Sequence, residues 1–136
     1  MLYSFAVTVP ASTAAESPLD TTIDLVPGTI EQIGVEFPPG CAGLVHVQLL
    51  RSLHQLVPAN AGASLASDSR EIVWREDYAM YDEPLSLTVR TWSDDDTYDH
   101  TVTVRVDVLA TARRPLAGDT QSLISRLLGS LLGGGE

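Results

Sequence analysis

Four aspartates within six residues are the side chains of this sequence that could most readily bind a cation. They are Asp94, Asp95, Asp96 and Asp99. Carboxylate oxygens are the ligands that Ca²⁺ prefers, but the spacing lacks the glycine and the closing glutamate of an EF-hand loop. Aspartates are also common in turns, where they accept hydrogen bonds from neighbouring backbone groups. We therefore predict a turn without a metal site, with a weak cation site as the alternative.

Three histidines and one cysteine could in principle supply a base, a nucleophile or a metal ligand. His46, His54 and His100 do not have the spacing of a ligand motif, and no serine or cysteine nucleophile motif accompanies them. Cys41 is the sole cysteine, which excludes an internal disulfide and a cysteine-based zinc site. We interpret the histidines as packed or surface residues and Cys41 as a small buried side chain. The sequence thus predicts no catalytic residue, no cofactor and no enzyme.

Five aromatic side chains could form a platform on which a sugar ring stacks. They are Trp74, Tyr78, Tyr81, Trp92 and Tyr98. Trp74 and Trp92 fall at strand positions where aromatic residues of a core are common. Packing in the core or at an interface is therefore the favoured interpretation, and a carbohydrate site is the alternative.

The last eighteen residues have the clearest amphipathic pattern of the chain. On a helix with 100° per residue, one half is entirely apolar and consists of Leu123, Ile124, Leu127, Leu128, Leu131 and Leu132. A helix of about 13 residues is marginal in water by itself, whereas burying six such side chains would gain at most about 9–18 kcal/mol. We predict that these six residues dock on another polypeptide. Packing against the chain's own strands and a disordered tail are the alternatives.

The elements before this segment alternate between apolar and polar residues with a period of two, which is typical of β-strands. Strand-like segments cover residues 3–9, 21–25, 33–37, 43–51, 54–58, 71–74, 85–91 and 101–108. No helical pattern separates them, which argues against a parallel sheet. The prediction is an all-β antiparallel sandwich of about eight strands, jelly-roll-like, with a small closed barrel as the second choice.

The chain divides into three parts by these patterns. Residues 1–109 form the β-sandwich domain, residues 110–118 form a linker, and residues 119–136 form a short C-terminal amphipathic helix with a glycine-rich end. A total of 136 residues is enough for one domain with its own core.

The charge balance is strongly acidic and excludes several kinds of partner. Eighteen acidic residues stand against eight arginines, and the net charge is −10. Such a field repels nucleic-acid phosphates and anionic membrane surfaces. The N-terminus lacks a basic region and alternates like a strand, so we expect no signal peptide and a soluble protein. Nucleic acids and membranes are thus not expected as partners.

Several turn-and-strand signatures resemble one family of proteins. They are Thr8-Val9-Pro10-Ala11, Pro27-Gly28-Thr29-Ile30, the run from Val35 to Val45, the run from Gln55 to Asn60 and the run from Asp95 to Val104. Over about residues 3–109 the chain resembles small β-sandwich virion accessory proteins of tailed phages, the decoration or cement proteins. Such proteins cap or clamp capsomers, commonly as trimers. The resemblance implies no catalytic residue.

Pattern and resemblance together predict a non-enzymatic virion structural protein, made in the host cytoplasm and located on the virion. We expect a capsid decoration or cement subunit, or another head-associated subunit, with sister subunits and a capsid protein as partners. The alternative is a carbohydrate-binding or adhesion module of a phage tail or fibre.

Overall fold

The computed structural model describes residues 1–110 of the chain. The predicted helix over residues 119–136 and most of the predicted linker lie outside the described residues.

Eight β-strands account for most of the described residues, as the sequence predicts. They are β1 (Leu2–Val9), β2 (Leu19–Asp24), β3 (Gly28–Phe37), β4 (Val45–Arg51), β5 (His54–Val57), β6 (Arg70–Met80), β7 (Ser86–Ser93) and β8 (His100–Leu109). All pairings between these strands are antiparallel. The all-β prediction is therefore confirmed for this part of the chain.

The strands form two sheets of four. Sheet A has the order β1-β8-β3-β6, and sheet B has the order β2-β7-β4-β5. The pairing is nested: the first strand pairs with the last, the second with the seventh, the third with the sixth and the fourth with the fifth. This nested pairing is the strand order of a jelly roll.

One hydrophobic core lies between the two sheets. Its buried side chains come from all eight strands and form a single cluster. In β8, Val102, Val104, Val106 and Val108 face the core, while the residues between them face outward. This alternation is why the period-two pattern identifies the strand so clearly.

Two strands are longer than the sequence pattern predicts. The third strand begins at Gly28 rather than near residue 33, and the sixth extends to Met80 rather than ending near residue 74. The ladders shift between Ile30 and Gln32, so the inward-facing residues Ile30 and Ile33 are three positions apart. A bulge of this kind breaks the period of two. The added part of β6 contains three consecutive charged residues, Arg75, Glu76 and Asp77, and charged residues are common in edge strands.

The connections fall at two ends of the sandwich. Residues 10–18, 38–44, 58–69 and 94–99 meet at one end, which we call the loop end. Backbone hydrogen bonds join these loops, from Ser12 N to Asp95 O at 2.7 Å and from Asp94 N to Leu44 O at 2.9 Å. The opposite end, which we call the terminal end, contains the three short connections, Met1 and the end of β8.

Candidate functional site

The six predicted docking residues, Leu123, Ile124, Leu127, Leu128, Leu131 and Leu132, lie outside the described residues. The structure does define where the segment that contains them leaves the sandwich. β8 ends at Leu109, beside the first strand, where Val108 N donates to Met1 O at 2.7 Å. The described part of the chain therefore ends at the terminal end, next to sheet A.

A shallow groove crosses the outer face of sheet A close to this point. Its volume is about 250 Å³, and it is lined by Leu2, Gln32, Gly34, Glu71, Val73, Arg105 and Asp107. We call it the outer groove. Gly34 lies at its centre, with Arg105 opposite on one neighbouring strand and Val73 opposite on the other. A Cβ atom at Gly34 would lie only 2.8 Å from Glu71 Oε2. The absent side chain at Gly34 therefore leaves room for the carboxylate of Glu71.

Apolar side chains are exposed around the outer groove. Leu2, Val73 and Leu109 are 66%, 47% and 49% exposed, and Met1 beside them is 63% exposed. Strand alternation and register place the first three on the outer face of sheet A. Exposed apolar residues grouped on one face are a typical mark of a contact surface.

Arg105 forms ion pairs with two carboxylates on the same outer face of sheet A. Its Nη1 lies 2.8 Å from both Glu36 Oε1 and Glu71 Oε2, and these two hydrogen bonds raise the pKa of the guanidinium. The arginine thereby spans three strands, β8, β3 and β6, across Gly34. A single cation shared by two carboxylates leaves this face with excess negative charge.

At the loop end, the four clustered aspartates bind different partners rather than a common point. Asp94 contacts His46, and Asp95 contacts His100 and accepts from the backbone N–H of Thr97. Asp96 accepts from the Thr97 hydroxyl and Asp99 from the backbone of Ala11, at 2.9 and 2.8 Å. The bonds of Asp95 and Asp96 to Thr97 are those of a turn, whereas Asp94 and Asp99 bind residues of other elements. Within residues 1–110, no group of three or more histidine, cysteine or acidic side chains could hold a metal ion.

His46 lies at the centre of an arrangement that sequence reasoning missed. Its Nδ1 lies 2.8 Å from Ser64 Oγ, its Nε2 lies 2.9 Å from Asp94 Oδ2, and its ring stacks on Trp92 with centroids 5.2 Å apart. The carboxylate can only accept, so Nε2 donates to it; in the tautomer that carries its single proton on Nε2, Nδ1 accepts from the Ser64 hydroxyl.

These are the residue types of a catalytic triad, with the two ring nitrogens exchanged. Ser64 belongs to the loop 58–69 and Asp94 to the loop 94–99, so His46 also fastens both loops to β4. Asp94 is 62% exposed, unlike the buried aspartate of a triad. The partners are 18 and 48 residues away in the sequence, at no motif spacing.

His100 and Cys41 are buried at the loop end. His100 Nε2 lies 2.6 Å from Asp95 Oδ2, and this bond is the main cause of the lowered pKa of Asp95. Cys41 is fully buried in the core cluster, and burial is the main cause of its raised thiol pKa. A raised pKa disfavours the reactive thiolate. The prediction that Cys41 is a buried side chain is confirmed.

The five aromatic residues do not share one surface. Trp74 packs against the core and donates to Glu76 Oε2 at 2.7 Å, while Tyr78 accepts from Arg51. Trp92 faces outward from sheet B beneath His46, and Tyr98 is 68% exposed at the loop end. Tyr81 lies near the Thr29 hydroxyl at the terminal end. They do not form one continuous platform for a sugar.

The fold places residues 1–110 in the class of antiparallel eight-stranded β-sandwiches. No family model matches the chain, and no curated protein matches it. No helix within residues 1–110 is long and apolar enough to span a membrane.

Among solved structures, the chain is similar to a Yersinia pseudotuberculosis-derived mitogen, with a TM-score of 0.46 and 8% identity over 83% of this chain and 90% of that one. A structure of tomato aspermy virus matches with a TM-score of 0.46 and 13% identity, over 84% and 82% of the two chains. A pilus protein of Bacillus endospore appendages matches with a TM-score of 0.33 and 12% identity, over 79% and 88%. We base no functional conclusion on similarities at this level.

Proposed function

We propose that this protein is a non-enzymatic structural subunit of a virion, a capsid decoration or cement subunit that self-assembles and docks on the shell. The observation that carries this proposal is the closure of the core between two sheets. Because the inner faces of sheet A and sheet B cover each other, they offer no free surface to the apolar stripe that the sequence predicts for residues 119–132. Its six apolar side chains would then be covered by another polypeptide.

The architecture is consistent with this role. Jelly rolls occur in viral capsid proteins and in lectins, although a fold alone does not determine a function. The virion assignment therefore rests on the family resemblance of residues 3–109 and on the docking stripe. The partners are sister subunits and a capsid protein, and the protein is made in the host cytoplasm before it joins the particle.

Multivalency explains how a small contact could suffice. A few apolar anchors per subunit bind weakly alone, but repetition by symmetry over a shell strengthens the attachment many-fold.

The test measures attachment to the particles of the virus that encodes this chain. Purified protein is mixed with shells stripped of it and sedimented, and the bound fraction is quantified. Leu127→Asp with Leu131→Asp should abolish binding, because each change places a charge in an apolar contact. The control variant, Ser122→Asp with Ser130→Asp, places two charges on the polar half of the predicted helix and should leave binding intact. Equal binding by both variants, or no binding by the unaltered chain, would contradict the proposal.

A further inference from the structure

The outer groove and the point where the C-terminal segment departs lie on the same side of the molecule. Asp107 lines the groove, and the strand that contains it ends two residues later at Leu109, whose side chain is half exposed on the same face. The apolar rim of Leu2 and Val73 continues this surface. Within residues 1–110, the apolar side chains on this face of sheet A remain exposed to solvent.

The sandwich, residues 1–110, and the C-terminal segment, residues 111–136, have net charges of opposite sign. Residues 1–110 contain five arginines against sixteen acidic residues, a net charge of −11. Residues 111–136 contain Arg113, Arg114 and Arg126 against Asp119 and Glu136, a net charge of +1. The C-terminal segment is therefore the cationic part of an acidic protein. On the outer face of sheet A, Glu36 and Glu71 share Arg105, and Asp107 lies beside the N-terminal ammonium of Met1. The excess carboxylate attracts Arg113 and Arg114, the two cations that precede the stripe.

Chain direction favours a second molecule as the source of the segment. β8 runs from the loop end to the terminal end, so at Leu109 the strand points away from the centre of the groove. For the stripe to reach the groove of its own molecule, the chain would have to reverse within residues 111–118, a stretch that includes Pro115 and spans at most about 27 Å. A neighbouring copy needs no such reversal.

We propose that the outer groove binds the apolar stripe of residues 119–132 of a second copy of this chain. This inference rests on the proposed self-assembly and names the surface that receives the docking residues. Val73 and Leu2, at the rim of the groove, contact the leucines. If two copies exchange segments, the result is a closed dimer; if each passes its segment onward, a closed ring forms.

The experiment is a complementation test with full-length chains. Val73→Asp disrupts only the groove, and Leu127→Asp with Leu131→Asp disrupts only the stripe. Light scattering measures the mass of each protein alone and of the equimolar mixture. We expect each variant alone to associate more than about tenfold more weakly than the unaltered chain. The mixture restores one intact groove–stripe contact per pair, so it should associate more strongly than either variant alone and more weakly than the unaltered chain.

Controls separate a lost contact from a lost fold. Leu53→Asp introduces the same charge at a side chain that is 89% exposed at the β4–β5 connection, outside the groove, and should associate normally. Val73→Thr keeps the β-branched shape and the strand propensity and should weaken association less than Val73→Asp. Circular dichroism should show the same sandwich in every variant.

Each outcome is decisive. A mixture that associates no more strongly than the separate variants means that the stripe packs on its own sandwich or on a different protein, and it overturns the proposal. Association that survives Val73→Asp overturns it as well. Attachment to shells is measured separately, so a failed complementation with intact shell binding would leave the proposed function standing.

Discussion

Replacing His46 by alanine tests whether its contacts with Ser64 and Asp94 are structural or catalytic. The substitution removes the hydrogen bond to the Ser64 hydroxyl, the hydrogen bond to the Asp94 carboxylate and the ring stack on Trp92. In a structural role these contacts fasten two loops of the loop end to β4. The expected result is a less stable protein with no change in any reaction.

The magnitude follows from the exposure of each contact. The half-buried bond to Ser64 contributes about 1 kcal/mol. The bond to Asp94, whose side chain is 62% exposed, is reduced by solvent to about 0.5 kcal/mol. Ring stacking adds about 1 kcal/mol. The free energy of unfolding should therefore fall by about 2–3 kcal/mol, which for a domain of this size lowers Tm by about 10 °C.

Thermal and urea unfolding measure this change, with Ser64→Ala expected to lose about 1 kcal/mol. His54→Ala is the matched control, because His54 is exposed and should shift stability by less than about 0.5 kcal/mol. Hydrolysis of 4-nitrophenyl acetate is followed in parallel and should not depend on Ser64. Ester hydrolysis that disappears in both Ser64→Ala and His46→Ala, while stability stays unchanged, would refute the structural reasoning.

Four further predictions concern the core, the acid response, the thiol and the aromatic surface. Leu49→Ala, at a fully buried position, should lower the free energy of unfolding by about 2–5 kcal/mol in urea titrations. Asp95 has a lowered pKa, so its stabilising effect is present above the unfolded-state value of 3.8 and disappears as the pH falls through the lower folded value; Asp95→Asn should show a shallower loss of Tm in acid, and an unchanged slope would contradict this. Cys41 should react with a disulfide reagent only as fast as the protein opens, whereas rapid reaction of the folded chain would contradict its burial. Trp92→Ala should leave a glycan array unchanged, and glycan binding that this variant abolishes would favour the adhesion alternative.

The strands were largely predictable because most of them are amphipathic with a period of two. β8 is the clearest case, since its valines alternate with polar residues over its whole length. The start of β3 could not be predicted in this way, because the bulge near Glu31 places two inward-facing residues three positions apart. The pairing order also depends on contacts between distant segments, such as β1 with β8, that no local pattern encodes.

The site was less predictable than the fold. Clustered aspartates suggest turn chemistry from sequence alone, and the structure assigns each of them a partner. The Ser64–His46–Asp94 hydrogen bonds join three separate elements, so no spacing rule could find them. The outer groove depends on Gly34 lying between Arg105 and Val73, and a glycine in a strand was the one available signal.

The most direct test of the account is the mass of the full-length chain in solution, compared with that of the Leu127→Asp and Leu131→Asp double variant over a range of concentrations. We predict an oligomer for the unaltered chain and a monomer with the same circular dichroism spectrum for the variant. Two proteins of identical mass, whether both monomers or both oligomers, would contradict the claim that a second copy of this chain covers the C-terminal stripe.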